Sequence, residues 1–264
     1  MKLLCTICGE TSMNKFKFNV AGWKEKLKNG ANINKPDKSG RTALEQAILA
    51  DDIEGVNFCI AHNADVNLNN TPMFFAADCS RKPEIIELLV KNGADIEANC
   101  KDEMTPLMSA VLGFHKDNYA VVKKMIELGA NVNAKDDKGF SVLFTSLAAV
   151  DKDNQEKIKL LIQSGADVNA IDDNNETPLF WANWCDADVI KAFIDAGADV
   201  NAKNNQGRTP LFYAAQCCKN PDTIKTLIEL GADINICDDC GKTALDYAQN
   251  ESVVREILTQ YKPR

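Results

Sequence analysis

Ten cysteines are the first chemistry this sequence offers, and two pairs of them share a spacing. Cys5-Thr-Ile-Cys8-Gly9 and Cys237-Asp-Asp-Cys240-Gly241 each set two thiols three residues apart ahead of a glycine. Two such knuckles held close together would make a tetrahedral zinc site. The histidines, His62 and His115, have no Cys, Asp or second His at metal-binding spacing on a common helix face. His62 falls in the last turn of a predicted helix, where a cation offsets the carbonyl dipoles. The acidic doublets Asp136-Asp137, Asp172-Asp173 and Asp238-Asp239 present paired carboxylates of the kind that general acid–base chemistry uses. There is no G-x-S-x-G, no H-E-x-x-H and no glycine-rich phosphate loop.

These residues must be positioned by the elements around them, and one stretch shows what those elements are. In Lys203 to Ile236, Thr209 is a good helix N-cap and Pro210 suits the first helical position, where its missing N–H had no partner. Leu211, Ala214 and Ala215 share a face on which the alanines let a second helix come close. Ile224, Leu227 and Ile228 recur at helical spacing after Pro221, and Gly231 supplies a left-handed terminator. Asn204 to Gly207 are turn residues leading back into Thr209.

The unit resembles an ankyrin repeat, whose pattern is D-x-x-G-x-T-P-L-H-x-A followed by a helix and G-A-D-V-N. The first-helix anchor stands at Thr42-Ala-Leu44, Thr71-Pro-Met73, Thr105-Pro-Leu107, Ser141-Val-Leu143, Thr177-Pro-Leu179, Thr209-Pro-Leu211 and Thr243-Ala-Leu245. The terminator stands at Gly30-Ala31, Asn63-Ala64, Gly93-Ala94, Gly129-Ala130, Gly165-Ala166, Gly197-Ala198 and Gly231-Ala232. Two signatures keep one register along nearly the whole chain. The resemblance implies an all-α solenoid of stacked helix–turn–helix repeats with short β-hairpin fingers, each repeat burying its apolar face on its neighbours. In that pattern the first aspartate of each doublet closes the hairpin and only the second points outward. A rigid solenoid also keeps its two ends apart, so the two Cys-x-x-Cys pairs cannot share one metal within a molecule.

The expected organisation is a non-repeat segment over 1–16, an N-terminal capping half-repeat over 17–34, six repeats over 35–236 and a C-terminal capping repeat over 237–264. The connection between Asn63 and Thr71 is four residues shorter than that between Gly93 and Thr105 and lacks D-x-x-G, so one finger should be absent. Net charge is −8, and no long basic stripe exists to track phosphates, which argues against nucleic acid as partner. No apolar run reaches the roughly 18 residues of a membrane span. The apolar start stops at Gly9-Glu10, too soon for a secretory core of roughly 7–15 residues. Cysteines scattered over helices and turns read as free thiols in a reducing compartment. The expectation is a cytoplasmic, elongated monomer.

In families built on this repeat, partners dock on the concave side against finger tips and the exposed end of the first helix. Carried over by register, those positions give a candidate protein-binding set of Met104, Leu112, Lys138, Phe140, Asp173, Glu176, Trp184, Gln206 and Arg208. The same counting offers Asp78 and Cys79 in the repeat that lacks its finger, and Cys185 beside Trp184. Met104, Phe140 and Trp184 would be the apolar anchors of an interface centre. The alternative is that Phe140 and Trp184 fold down onto neighbouring helices. The resemblance therefore implies a non-catalytic module that presents a rigid surface to a protein, with no catalytic, cofactor-binding or metal-binding residue. The alternative function is a redox- or metal-responsive protein acting through Cys5 and Cys8.

Overall fold

A computed structural model describes residues 17–100, 102–112, 118–148, 154–217, 221–248 and 252–261. The chain forms two compact units that divide between Asn131 and Val132. In the first, α1 (Val20–Lys28) is followed by α2 (Ala43–Leu49), α3 (Ile53–Ala61), α4 (Thr71–Cys79), α5 (Pro83–Lys91), α6 (Pro106–Leu112) and α7 (Tyr119–Glu127). The second holds α8 (Val142–Leu147), α9 (Asn154–Gln163), α10 (Pro178–Trp181), α11 (Ala187–Asp195), α12 (Pro210–Cys217), α13 (Pro221–Glu229), α14 (Ala244–Tyr247) and α15 (Ser252–Gln260). Within each unit the elements pack in two rows, first helices on first helices and second on second. The first unit stacks α2 on α4 on α6, with α3, α5 and α7 behind; the second stacks α8, α10, α12 and α14, with α9, α11, α13 and α15 behind.

The cores are the apolar stripes foreseen from the spacing. Leu44, Ile48, Met73, Ile85, Ile86, Leu89, Leu107 and Met125 are fully buried in the first unit, and Leu143, Phe180 and Phe193 in the second. Alanine on the first helices, as at Ala43, Ala76, Ala110 and Ala214, is buried because the helices approach closely there.

A clamp at the terminator fixes the spacing of repeats. Asn169 Oδ1 accepts from the Asp199 N–H at 3.1 Å while its Nδ2 donates to the Gly197 carbonyl at 2.8 Å. Asn34, Asn67, Asn133 and Asn201 make the same pair of bonds one repeat ahead. Each pair satisfies one loop carbonyl and one loop N–H that the helix itself leaves open. Where glycine is missing from this turn, Asn63 takes the left-handed conformation with φ 60°.

The fingers are short hairpins: among the described residues the only β-bridge is between Lys135 and Ser141. Asp136 N–H closes its finger on Phe140 O at 3.0 Å, and Gly139 N–H turns back to Asp136 O at 3.0 Å. One expectation needs correction: Thr209 does not cap its helix through its hydroxyl. Phe212 N–H goes to the Thr209 carbonyl at 3.0 Å, and the Thr209 hydroxyl is left buried without a hydrogen bond, as at Thr177. The hydroxyl does cap at Thr42, Thr105 and Ser141.

The absent finger is replaced by one 3-10 turn, Leu68–Asn70, in which Asn69 and Asn70 are both left-handed, φ 53° and 60°. In the second unit, by contrast, successive fingers are laced through backbone. Asn205 N–H reaches Asn174 O at 2.9 Å, and Asp239 N–H reaches Gln206 O at 3.0 Å. Gly207 permits that approach: a Cβ there would lie 2.7 Å from Asp239 Oδ1.

Candidate protein-binding surface

Five of the fingers are built on one carboxylate or amide, and the finger ahead of Thr105 has Cys100 in that place. Asp37, Asp136, Asp172 and Asp238 each use Oδ1 to accept from the backbone N–H two and four residues on, and Asn204 does the same with its amide oxygen. Asp137, Asp173 and Asp239, the second members of the doublets, are exposed. The doublets are therefore half turn-closure and half solvated surface, with no geometry for acid–base work.

In the first unit Met104 and Leu112 are half-buried. Asp78 and Cys79 do not face outward there: both are buried at the end of α4, and burial pushes the Asp78 carboxyl up to about 6. In the second unit Lys138, Asp173 and Gln206 are exposed and Arg208 is half-buried. Glu176 leaves the outward-facing set, being only 4 % exposed. Its carboxylate accepts from the Tyr213 hydroxyl and from Asn204 Nδ2, the latter at 3.1 Å. Register placed it correctly at the end of its finger, but two donors from the next repeat draw it inward.

Trp184 is tethered too. It lies in the turn after α10, half-buried, and its indole N–H donates to the Leu147 carbonyl at 3.1 Å, satisfying the open end of α8. Cys185 beside it is fully buried, and burial pushes its thiol up to about 12. The exposed tryptophan is Trp181, three residues earlier and 40 % exposed. Phe140 is half-buried, edge-on to Phe144 at 5.7 Å and to Trp181 at 6.4 Å between ring centroids.

A regular pairing emerges from these contacts. The residue just before the anchor Ser or Thr of one repeat meets the fourth residue after the anchor of the next. Phe140 meets Trp181 ring to ring; Glu176 meets Tyr213 by hydrogen bond; Arg208 meets Tyr247 with its guanidinium 4.6 Å from the ring centroid. Trp181, Tyr213 and Tyr247 therefore line the inner row of first helices in three successive repeats. Register counting stopped at the finger and the far end of the first helix and so passed over them. Aromatics at the same offset from Thr177, Thr209 and Thr243 were the signal for them in the sequence.

The last step of the row is the most polar. Arg208 Nε lies 3.4 Å from Asp238 Oδ2 and its Nη2 donates to the Tyr247 hydroxyl at 2.8 Å. That hydroxyl donates to Asp238 Oδ2 at 2.6 Å. The Tyr247 hydrogen bond, with help from backbone N–H groups and Arg208, holds the Asp238 carboxyl down at about 2. Burial, together with the Glu176 carboxylate, pushes the Tyr213 phenol up to about 12.

Cys59, Cys100, Cys185, Cys217, Cys237 and Cys240 carry free thiols, whereas Cys79 is disulfide-bonded, so the expectation of free thiols throughout fails at that position. Cys237 and Cys240 are exposed on the last finger. Among the described residues no group of three or more His, Cys, Asp and Glu side chains is placed to hold a metal ion. Cys5, Cys8 and His115 lie outside the described residues. The His62 ring packs on Phe58, centroids 4.2 Å apart, with Nδ1 2.8 Å from the Phe58 carbonyl, which is a structural role at the end of α3. No helix among the described residues is long and apolar enough to cross a membrane.

Comparison with known proteins agrees with this geometry. The family model described as "Ankyrin repeats (3 copies)" matches residues 56–136, 107–204, 145–238 and 183–263. The fold is similar to the ankyrin repeat domain of Bcl-3, a member of the IkappaB protein family, with a TM-score of 0.67 and 22% identity over 83% of this chain and 99% of that one. It is also similar to a chain from the complex of the Bd0816 predatory endopeptidase of Bdellovibrio bacteriovorus with immunity protein Bd3460. There the TM-score is 0.59 and the identity 25%, over 86% of this chain and 100% of that one. No curated protein matches the sequence.

Proposed function

The chain belongs to the ankyrin repeat family, and on that premise we propose that it is a non-catalytic module that binds a protein through the inner row of its second unit. One observation carries the proposal: Trp181, Tyr213 and Tyr247 stand in register on successive first helices, and Trp181 is left 40 % exposed. Aromatic side chains set among charged finger residues have the composition of an interface centre and its rim. The laced fingers of the second unit add pre-organisation, since a surface already ordered gives up little conformational entropy on docking. Resemblance to a chain from an endopeptidase–immunity protein complex supports a protein as the ligand. Phe140, Lys138, Asp173, Gln206 and Arg208 belong to the same surface, and Met104 and Leu112 of the first unit are proposed separately as protein contacts. A cytoplasmic setting and a monomeric working form complete the proposal, and the disulfide at Cys79 is the observation that stands against a reducing compartment.

The test uses the intact chain as bait, beside Trp181→Ala. Hot-spot aromatics typically cost about 2 kcal/mol or more when cut to alanine, so the variant should lose a partner that the parent retains, with its melting temperature nearly unchanged. Partners held equally by both proteins would remove the inner row from the interface.

A further inference from the structure

The second unit contains a filled cation site and, two repeats earlier, an open copy of it. In the filled one the finger aspartate, Asp238, is nine residues ahead of Tyr247, and the tyrosine hydroxyl bonds its Oδ2. The same nine-residue pair touches in two other repeats: Gln46 Nε2 donates to Asp37 Oδ2 at 3.0 Å, and Asn204 Nδ2 lies 3.4 Å from the Tyr213 hydroxyl. Arg208 from the preceding finger completes the site, its guanidinium on the Tyr247 ring and its Nε against Asp238 Oδ2.

At the earlier step the aspartate is Asp172 and the aromatic nine residues on is Trp181. Asp172 is buried to 8 % exposure, and its Oδ1 is taken by the Asn174 and Glu176 N–H groups. Among the described residues nothing donates to its Oδ2 and no lysine or arginine pairs with it. The position equivalent to Arg208 is Phe140, which meets Trp181 edge-on and brings no charge. By the nine-residue spacing that pairs Asp238 with Tyr247, this carboxylate takes the place facing a partly open ring, and it lacks the cation that its counterpart has. Indole is the strongest side-chain acceptor for a cation–π contact, and a planar guanidinium both stacks and pairs with a carboxylate. The surrounding charge has the matching sign: residues 132–264 hold 21 Asp and Glu against 14 Lys and Arg, a net −7 of the chain's −8.

We propose that the Trp181–Asp172 step receives an arginine side chain of the protein partner, stacked on the indole and paired with the free carboxylate oxygen, as Arg208 does within the chain. The inference rests on the inner row being the docking surface and names the chemistry that this surface reads.

The experiment titrates the intact protein with an acetylated glycine–arginine–glycine amide, with the citrulline peptide as uncharged isostere. It follows the indole N–H resonances of Trp23, Trp181 and Trp184, with Trp181→Phe identifying the signal. The arginine peptide should move the Trp181 resonance saturably, the lysine peptide should bind more weakly, and citrulline should leave the resonance in place. Asp172→Asn should weaken the arginine peptide about tenfold, within the range of partly desolvated cation–π and charge pairs. The substitution preserves the finger, because Asn204 closes an equivalent turn with the same two N–H bonds. Equal response to citrulline, unchanged affinity in Asp172→Asn, or shifts only at Trp23 or Trp184 would overturn the inference. A captured partner lost by Trp181→Ala but kept by Asp172→Asn would leave the surface standing and remove only its arginine; a partner indifferent to both removes both.

Discussion

Trp184 and Trp181 are three residues apart and are held by different forces. The Trp184 indole donates to a helix-end carbonyl of the preceding repeat, so its loss leaves the Leu147 carbonyl without that donor as well as removing apolar contact. A hydrogen bond contributes about 1 kcal/mol net, and half-burial keeps the packing loss below the roughly 3–5 kcal/mol of a fully buried tryptophan. Trp184→Ala should therefore destabilise the protein by about 2 kcal/mol in denaturant titration. Trp184→Phe should recover part of that by restoring packing without the donor. A stability unchanged by Trp184→Ala would mean that the tether to Leu147 carries no energy.

At the scale of the element, the last finger shows how one side chain ties a turn to a helix in front and a repeat behind. Asp238 accepts from two backbone N–H groups, from Tyr247 and from Arg208. Because the folded carboxyl is held at about 2 against an ordinary 3.8, its contribution is fully present above the unfolded value. It is lost as pH falls through the folded one, so the window runs from about pH 4 down to about pH 2. Melting temperature followed through that window should fall less steeply in Tyr247→Phe, which removes the hydrogen bond that lowers the carboxyl most. Identical acid limbs in the two proteins would show that the clasp does not stabilise the final repeat. The repeat lacking a finger is the counter-example: its turn is closed by left-handed Asn69 and Asn70, and the Thr71 hydroxyl that ends it donates to the Glu45 carboxylate of the preceding repeat.

For the whole molecule the telling quantity is charge, which is concentrated in the second unit. A surface that reads a cation inside a net-negative field should bind less tightly as salt shortens the Debye length from about 30 Å at 0.01 M to about 10 Å at 0.1 M. Affinity for the arginine peptide should therefore fall several-fold over that range, while melting temperature changes little. Affinity independent of salt would confine the interaction to the ring and exclude the field. The repeat register, the helix pairs, the terminator turns and the missing finger were all legible in the sequence. Each is a local property: a proline that starts a helix, a glycine or asparagine that turns left-handed, an apolar residue every third or fourth position. Which finger residues stay exposed was not legible at that level. Glu176 and Arg208 hold the same place in successive repeats, yet one is buried and the other half-exposed, because that place meets whatever residue the next repeat supplies. A tyrosine offering a hydroxyl draws a carboxylate in, a tyrosine offering its face takes a guanidinium, and a tryptophan beside a phenylalanine is left open. Local sequence set the positions; contact between residues more than thirty apart decided what each position could do.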